Sequence, residues 1–171
     1  MTARDRMLDK AREKTLGTYV AKFVAPEFQK MIRAEAGSIA DGTETAVVDG
    51  NISPVVRRVG QVVCVTCGKV GPWSSGLSGM HTGHFLASRR NSIIFDEDNV
   101  APQCSSCNRY HGGMPQQFRL WMLHERGVET INRLERLKHT VRTFTREELV
   151  DMRIEFKARL KVAEHRMRNS D

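Results

Sequence analysis

Four cysteines stand in the 171-residue chain as two matched pairs, Cys64-x-x-Cys67 and Cys104-x-x-Cys107, with 36 residues between the pairs. Two thiolates separated by two residues can turn back on one ion, and two such turns supply the four sulfurs of a closed tetrahedral zinc site. Four thiolates leave no open position for water, so a zinc ion there is architectural. It replaces core that the glycine- and serine-rich insert cannot supply. Cysteine occurs nowhere else, which argues against four incidental core residues. Inside and beside the insert lies a second set of chemically capable side chains: His81, His84, Asn99, Asn108 and His111.

Read in order, His84, Asn99 and Asn108 match the His–Asn–His/Asn pattern of HNH nucleases in its Asn-ended variant. The stretch CVTCG … TGHFLASRRNSIIFDEDNVAPQCSSCNRYHGG resembles the NinG/Rap recombination proteins of lambdoid phages. The shared features are Cys-x-x-Cys-Gly, a Gly-His-Phe step, the acidic turn ending in Asn99, and Cys-x-x-Cys-Asn. The resemblance runs from about Val63 to Gly113, continues more weakly through the following helices, and leaves out roughly the first 55 residues. More distantly the chain is similar to junction-resolving enzymes of the endonuclease VII type, which also place an Asn directly after the last zinc cysteine. The resemblance implies a ββα-metal fold, with a hairpin bearing His84, a loop pinned by Asn99 and a helix carrying the metal ligand Asn108. It also implies cleavage of branched DNA in phage recombination.

Phosphodiester hydrolysis needs a nucleophile made from water, a cation to stabilise charge on the phosphate, and help for the leaving oxygen. A neutral imidazole near pH 7 can take a proton from water, which makes His84 the candidate general base. Asn99 would hold the loop and orient His84 through its side-chain carbonyl. Asn108 offers a neutral oxygen suited to a hard cation, Mg²⁺ or Mn²⁺. Many HNH sites place an Asp immediately before the catalytic His, and here that residue is Gly83. The NinG/Rap pattern puts an Asp three positions before the His, and here that residue is His81. A His81–Asn108 pair lacks an anionic ligand and is softer than a usual magnesium site, which favours Mn²⁺, Ni²⁺ or Zn²⁺, or weak binding.

His111, three positions beyond Asn108, is either a further cation ligand or a phosphate contact. Asp96, Glu97 and Asp98 are alternative sources of a carboxylate, although the family pattern makes them loop residues. Arg89, Arg90 and Arg109 are candidate phosphate contacts without base specificity. Each residue also has a plainer role: His81 on the surface, Asn99 capping the turn around Pro102, His84 packed beside the zinc.

The elements that must position these residues predict an α+β fold: a small zinc-stabilised ββα-metal (HNH) core over residues 56–114, flanked by helices. Residues 1–55 are expected as a helical extension followed by a linker, and 115–171 as a helical region ending in a basic amphipathic helix. The spacing predicts helix from about Arg4 to Ala36, with Pro26 as a start and Gly37 as a stop. SIADGTETAVVDGNISP reads as loop, and VVRRVGQVVCV as a short strand into the first cysteine pair. The insert suits a hairpin with a long connection. PQQFRLWMLHERG predicts a helix ending at Gly127, and VETINRLERLKH a second with Ile131 and Leu134 inward. Thr145 and Glu148 form a capping box before a stripe of Leu149, Met152, Phe156, Leu160, Ala163 and Met167. That stripe serves either packing on the domain or a homodimer contact.

The net charge is +7 with a pI near 9.6. The surplus sits mainly after Asn108, where 14 Lys/Arg face 9 Asp/Glu. A basic surface favours a polyanion such as DNA, branched or partly single-stranded on the family's pattern. Every apolar run is broken by charge and the N-terminus is charged from the start, so neither a membrane span nor a secretion signal is expected. The expected setting is the cytoplasm of a phage-infected or prophage-bearing bacterium. Two other readings compete with the endonuclease: a zinc-stabilised nucleic-acid-binding protein without catalysis, and an adaptor using the terminal helix.

Overall fold

Local capping sets the N-terminal helices. Thr2 Oγ1 accepts from Asp5 N at 3.1 Å, while an Asp5 carboxylate oxygen accepts from Thr2 N at 2.7 Å, and this reciprocal pair starts α1 (Ala3–Arg12). The structure, a computed structural model, describes residues 1–74, 79–87 and 92–170. Thr15 caps α2 (Leu16–Tyr19), which runs through a π turn (Val20–Val24) into α3 (Ala25–Gly37). Pro26 therefore lies in the first turn of α3 but within a longer helical run, not at its beginning. Gly37 does end the helix, and it also answers a need for space. A Cβ there would stand 2.9 Å from Trp73 Cβ.

The stretch expected as a loop before the first cysteines is largely a β-hairpin. β1 (Gly42–Val48) pairs antiparallel with β2 (Asn51–Arg57), Val48 opposite Asn51. Asp49 and Gly50 between them have φ of 49° and 80°, the left-handed pair that a two-residue type I′ turn requires. The outer end of β1 is polar and exposed, whereas Ala46 and Val47 are buried. Trp121 Nε1 donates to Thr45 O at 2.9 Å, which ties the hairpin to a later helix.

β3 (Gln61–Val63) and β4 (Val70–Pro72) form a second hairpin with the first cysteine pair in its turn. β5 (Met80–His84) and β6 (Val100–Cys104) form a third, the expected ribbon with a long connection. α4 (Pro115–Glu125) and α5 (Gly127–Leu137) meet at Gly127, whose φ of 78° breaks the helical run. Ile131 and Leu134 are buried as expected. α6 (Arg146–Arg168) starts on the Thr145–Glu148 capping box. Leu149, Phe156, Leu160 and Ala163 of its stripe are buried in a core shared with α1 and α3, with Met152 and Met167 at the margin. Intramolecular packing thus consumes this stripe.

The result is a mixed α+β fold with three separate two-stranded antiparallel sheets among the described residues. α1, α2, α3 and α6 share one core with Val100 of β6. α4 and α5 pack with Val47, Val65, Ile93 and Ala101 in a second, and a third surrounds the cysteines. The β5–β6 ribbon lies between the helical groups. α3 is fastened directly to it: Thr82 Oγ1 donates to Gln29 O at 2.8 Å and accepts from Arg33 Nη1 at 3.0 Å. Among the described residues, no helix is long and apolar enough to cross a membrane.

Candidate functional site

The turn between β3 and β4 closes through Cys64 N to Lys69 O and Gly68 N to Cys64 O, both 2.8 Å, with Gly68 at φ 73°. The second pair leaves β6 at Cys104 and enters a π turn (Ser106–Tyr110), where Cys107 N lies 3.5 Å from Cys104 Sγ. All four sulfurs fall within 4.8 Å of one another. A Zn–S bond of about 2.3 Å gives a tetrahedron with an edge of about 3.8 Å. Cys67 and Cys104 Sγ are 3.8 Å apart. Burial pushes the Cys107 thiol up to about 11 and raises Cys67 as well, so the thiolate forms call for a compensating cation. The group can hold a metal ion, and its donor chemistry and spacing fit zinc.

His84 ends β5, opposite Val100, and is half-buried. Burial holds its pKa below the ordinary histidine value, outweighing a hydrogen bond to the Ile94 backbone that acts the other way. The ring is therefore neutral near pH 7. Asn99 closes a 3₁₀ turn (Glu97–Asn99) and is fully buried. Its Oδ1 accepts from Leu86 N at 2.9 Å, and its Nδ2 donates to Leu86 O at 3.0 Å and Ile93 O at 3.3 Å. Asn99 thus ties together both ends of the connection that follows His84. The expected bond from the Asn99 side-chain carbonyl to His84 is replaced: Leu86 N takes that oxygen, and the Ile94 backbone orients the ring.

His84 and Asn108 line one cleft of about 660 Å³, with Phe28 and Gln29 of α3, Ile94, and Gly112–Gly113 among its other walls. Gln29 is missing from the sequence candidates because nothing in its local pattern marks it. Below the rim lies Gln103, fully buried, whose Nε2 donates to Thr66 Oγ1 at 3.1 Å and to Gly113 O at 2.8 Å. Thr66 Oγ1 is in turn 3.3 Å from Cys64 Sγ, so Gln103 links the cysteine turn to the cleft. Its Oε1 has no partner among the described residues and stands 2.0 Å from where a Cβ on Gly83 would be. This is the physical reason for Gly83: an Asp there would have to displace Gln103. The register also puts Gly83, His81 and Gln103 on one face of the ribbon, and Thr82 and His84 on the other.

The predicted cation ligands are not gathered in the cleft. Asn108 lines it, and its side chain has no hydrogen-bond partner among the described residues. His81 is absent from the lining, on the opposite face of β5. Burial and the nearby charges of Arg33 and Arg109 lower its pKa, and those surroundings suit an anion better than a cation. His111 sits with Cys67, Cys104 and Cys107 in a separate recess. The carboxylate alternatives are also corrected. Asp96 accepts from Arg133 at 2.6 and 3.1 Å, Asp98 from Arg133 at 2.8 Å, and Glu97 from Arg159 at 2.9 Å. These acids fasten α5 and α6, and no acid lines the cleft among the described residues. Arg109 is exposed next to Asn108. Arg89 and Arg90 lie outside the described residues.

A family model described as bacteriophage lambda NinG protein matches residues 50–166, from β2 to most of α6. α1–α3 lie outside that match, although α3 walls the cleft. No curated protein and no solved structure matches the chain.

Proposed function

Because the chain belongs to the bacteriophage lambda NinG family, we propose that it is a DNA endonuclease of phage recombination, acting on branched or partly single-stranded DNA in the host cytoplasm. On this reading the β5–β6 ribbon and the turn after Cys107 are an HNH (ββα-metal) core framed by structural zinc. The observation that carries it is the neutral His84 sharing one cleft with Asn108 beside the four cysteines.

His84 accepts a proton from water as the water oxygen attacks phosphorus, the bond to the leaving oxygen breaks, and that oxygen takes up a proton from solvent. Asn99 holds the connection that places His84. Asn108 fits a hard divalent cation as one neutral oxygen donor, the remaining positions falling to water and phosphate. Such a cation, Mg²⁺ or Mn²⁺, would stabilise charge on the phosphate. Arg109 and the basic C-terminal region supply backbone contacts.

The test is nicking of supercoiled DNA and of a four-way junction across Mg²⁺, Mn²⁺ and Ni²⁺. Cleavage is expected to vanish in His84→Ala while zinc content and folding persist. A variant that cuts like the parent removes His84 from the chemistry. The lack of an acid among the described lining residues of the cleft favours a second reading, a zinc-stabilised nucleic-acid-binding protein without catalysis. Salt-sensitive binding with no cleavage under any cation would establish that one instead.

A further inference from the structure

We infer that Gln29 contacts a DNA phosphate in the cleft, so that α3, which precedes the family-matched segment, completes the site. The inference rests on the nuclease reading for its substrate and on the geometry of α3 for its location. Gln29 O accepts from Thr82 Oγ1 at 2.8 Å, and Thr82 is also held by Arg33 Nη1. Thr82 lies two residues before His84 on the same face of β5. The backbone of Gln29 is therefore fixed against the strand that carries His84, and its half-buried side chain lines the same cleft as His84 and Asn108.

Among the described residues the Gln29 amide has no hydrogen-bond partner. Its Nε2 offers two N–H donors. His84 already has the Ile94 backbone as a partner. A phosphate entering here meets no carboxylate among the described lining residues, and Phe28 and Ile94 form apolar parts of the wall. A hydrogen bond from an N–H donor to an anionic oxygen is charge-assisted and stronger than one between neutral groups.

The test uses the full chain with zinc bound, in two variants. Gln29→Met keeps length and helix propensity but removes both donors, and Gln29→Glu places a negative charge where the phosphate oxygen would lie. Binding to a fluorescent four-way junction is read by anisotropy without added divalent cation, and Mn²⁺ binding by electron paramagnetic resonance. Loss of one hydrogen bond to a charged group weakens DNA binding about 10-fold in Gln29→Met, and Gln29→Glu should lose more. Mn²⁺ affinity should not move in Gln29→Met. DNA affinity equal to the parent's in both variants overturns the inference. So does a loss of Mn²⁺ affinity in Gln29→Met, which would make the native amide a cation ligand. Zinc content and thermal unfolding check that each variant is folded, and either one alone suffices. If the parent never cleaves DNA, the nuclease reading fails while the anisotropy still decides the phosphate contact.

Discussion

Replacing Gly83 by Ala adds one methyl group at a place already filled. The new Cβ would lie 2.0 Å from Gln103 Oε1, 2.6 Å from its Cδ and 2.9 Å from its Cγ. Gln103 is fully buried, so its amide cannot swing into solvent. Moving it breaks the bonds to Thr66 Oγ1 and Gly113 O, at about 1 kcal/mol each. Overpacking adds about 1–3 kcal/mol, and the better strand conformation of Ala returns about 0.5–1 kcal/mol. The expected net loss is about 2–4 kcal/mol, a large share of a typical domain's stability. Urea unfolding at fixed zinc reads it. In the double variant Gly83→Ala/Gln103→Ala the clash is gone, so its loss should fall short of the summed single losses by about 1 kcal/mol or more. A Gly83→Ala protein as stable as its parent, or strictly additive losses, refutes the account. By the same geometry, Gly83→Asp should not create a cation ligand in the cleft, because its side chain points at Gln103 on the face opposite His84.

Asn99→Ala should destabilise by about 3 kcal/mol, roughly 1 kcal/mol for each of its three side-chain bonds, and should lower any cleavage activity further, as denaturation and nicking assays would show. Zinc should be released at one ion per chain when the thiols are titrated with a mercurial, and chelation should cost the knuckle region its folded state, since structural zinc contributes about 10–16 kcal/mol in small sites; intact near-ultraviolet dichroism after complete removal contradicts this. His84 has a folded pKa below its unfolded one, so its contribution is full above pH of about 6.5 and is lost as the pH falls from there through the folded value. Stability measured against pH should therefore decline on that acid side, less steeply in His84→Gln, and the acid limb of cleavage should lie below pH of about 6.5.

Features written in neighbouring residues could be read from the sequence. Thr145 and Glu148 cap α6 through contacts three residues apart, and Ile131 and Leu134 share a helix face at the same interval. The two cysteine pairs announce their own turns. What escaped depends on partners far along the chain. β1 reads as loop because its outer half is polar, and only packing on Trp121 and Val65 shows which residues turn inward. His81 looks like a cation ligand beside the general base His84, yet an interval of three puts the two on opposite faces of a strand. Asp96, Glu97 and Asp98 resemble metal ligands until α5 and α6 bring Arg133 and Arg159 to them. Gln29 carries no motif, and it reaches the cleft only because Thr82 fastens α3 to β5.

The wide turn at Val20–Val24 gives the last of these a different meaning. Its closing bond runs from Ala25 N to Val20 O, five residues back, where an α-helix would span four. Each residue advances the azimuth of a helix by about 100°, so the wide turn re-phases everything downstream of it. Before it, Leu16 looks into an apolar groove with Phe95 and Phe144. After it, Phe28 and Gln29 look into the cleft with His84. The turn works like the offset in a key, setting two segments of one rod to two different locks. Deleting a single residue between 20 and 24 would leave the helical content nearly unchanged and rotate Gln29 off the site.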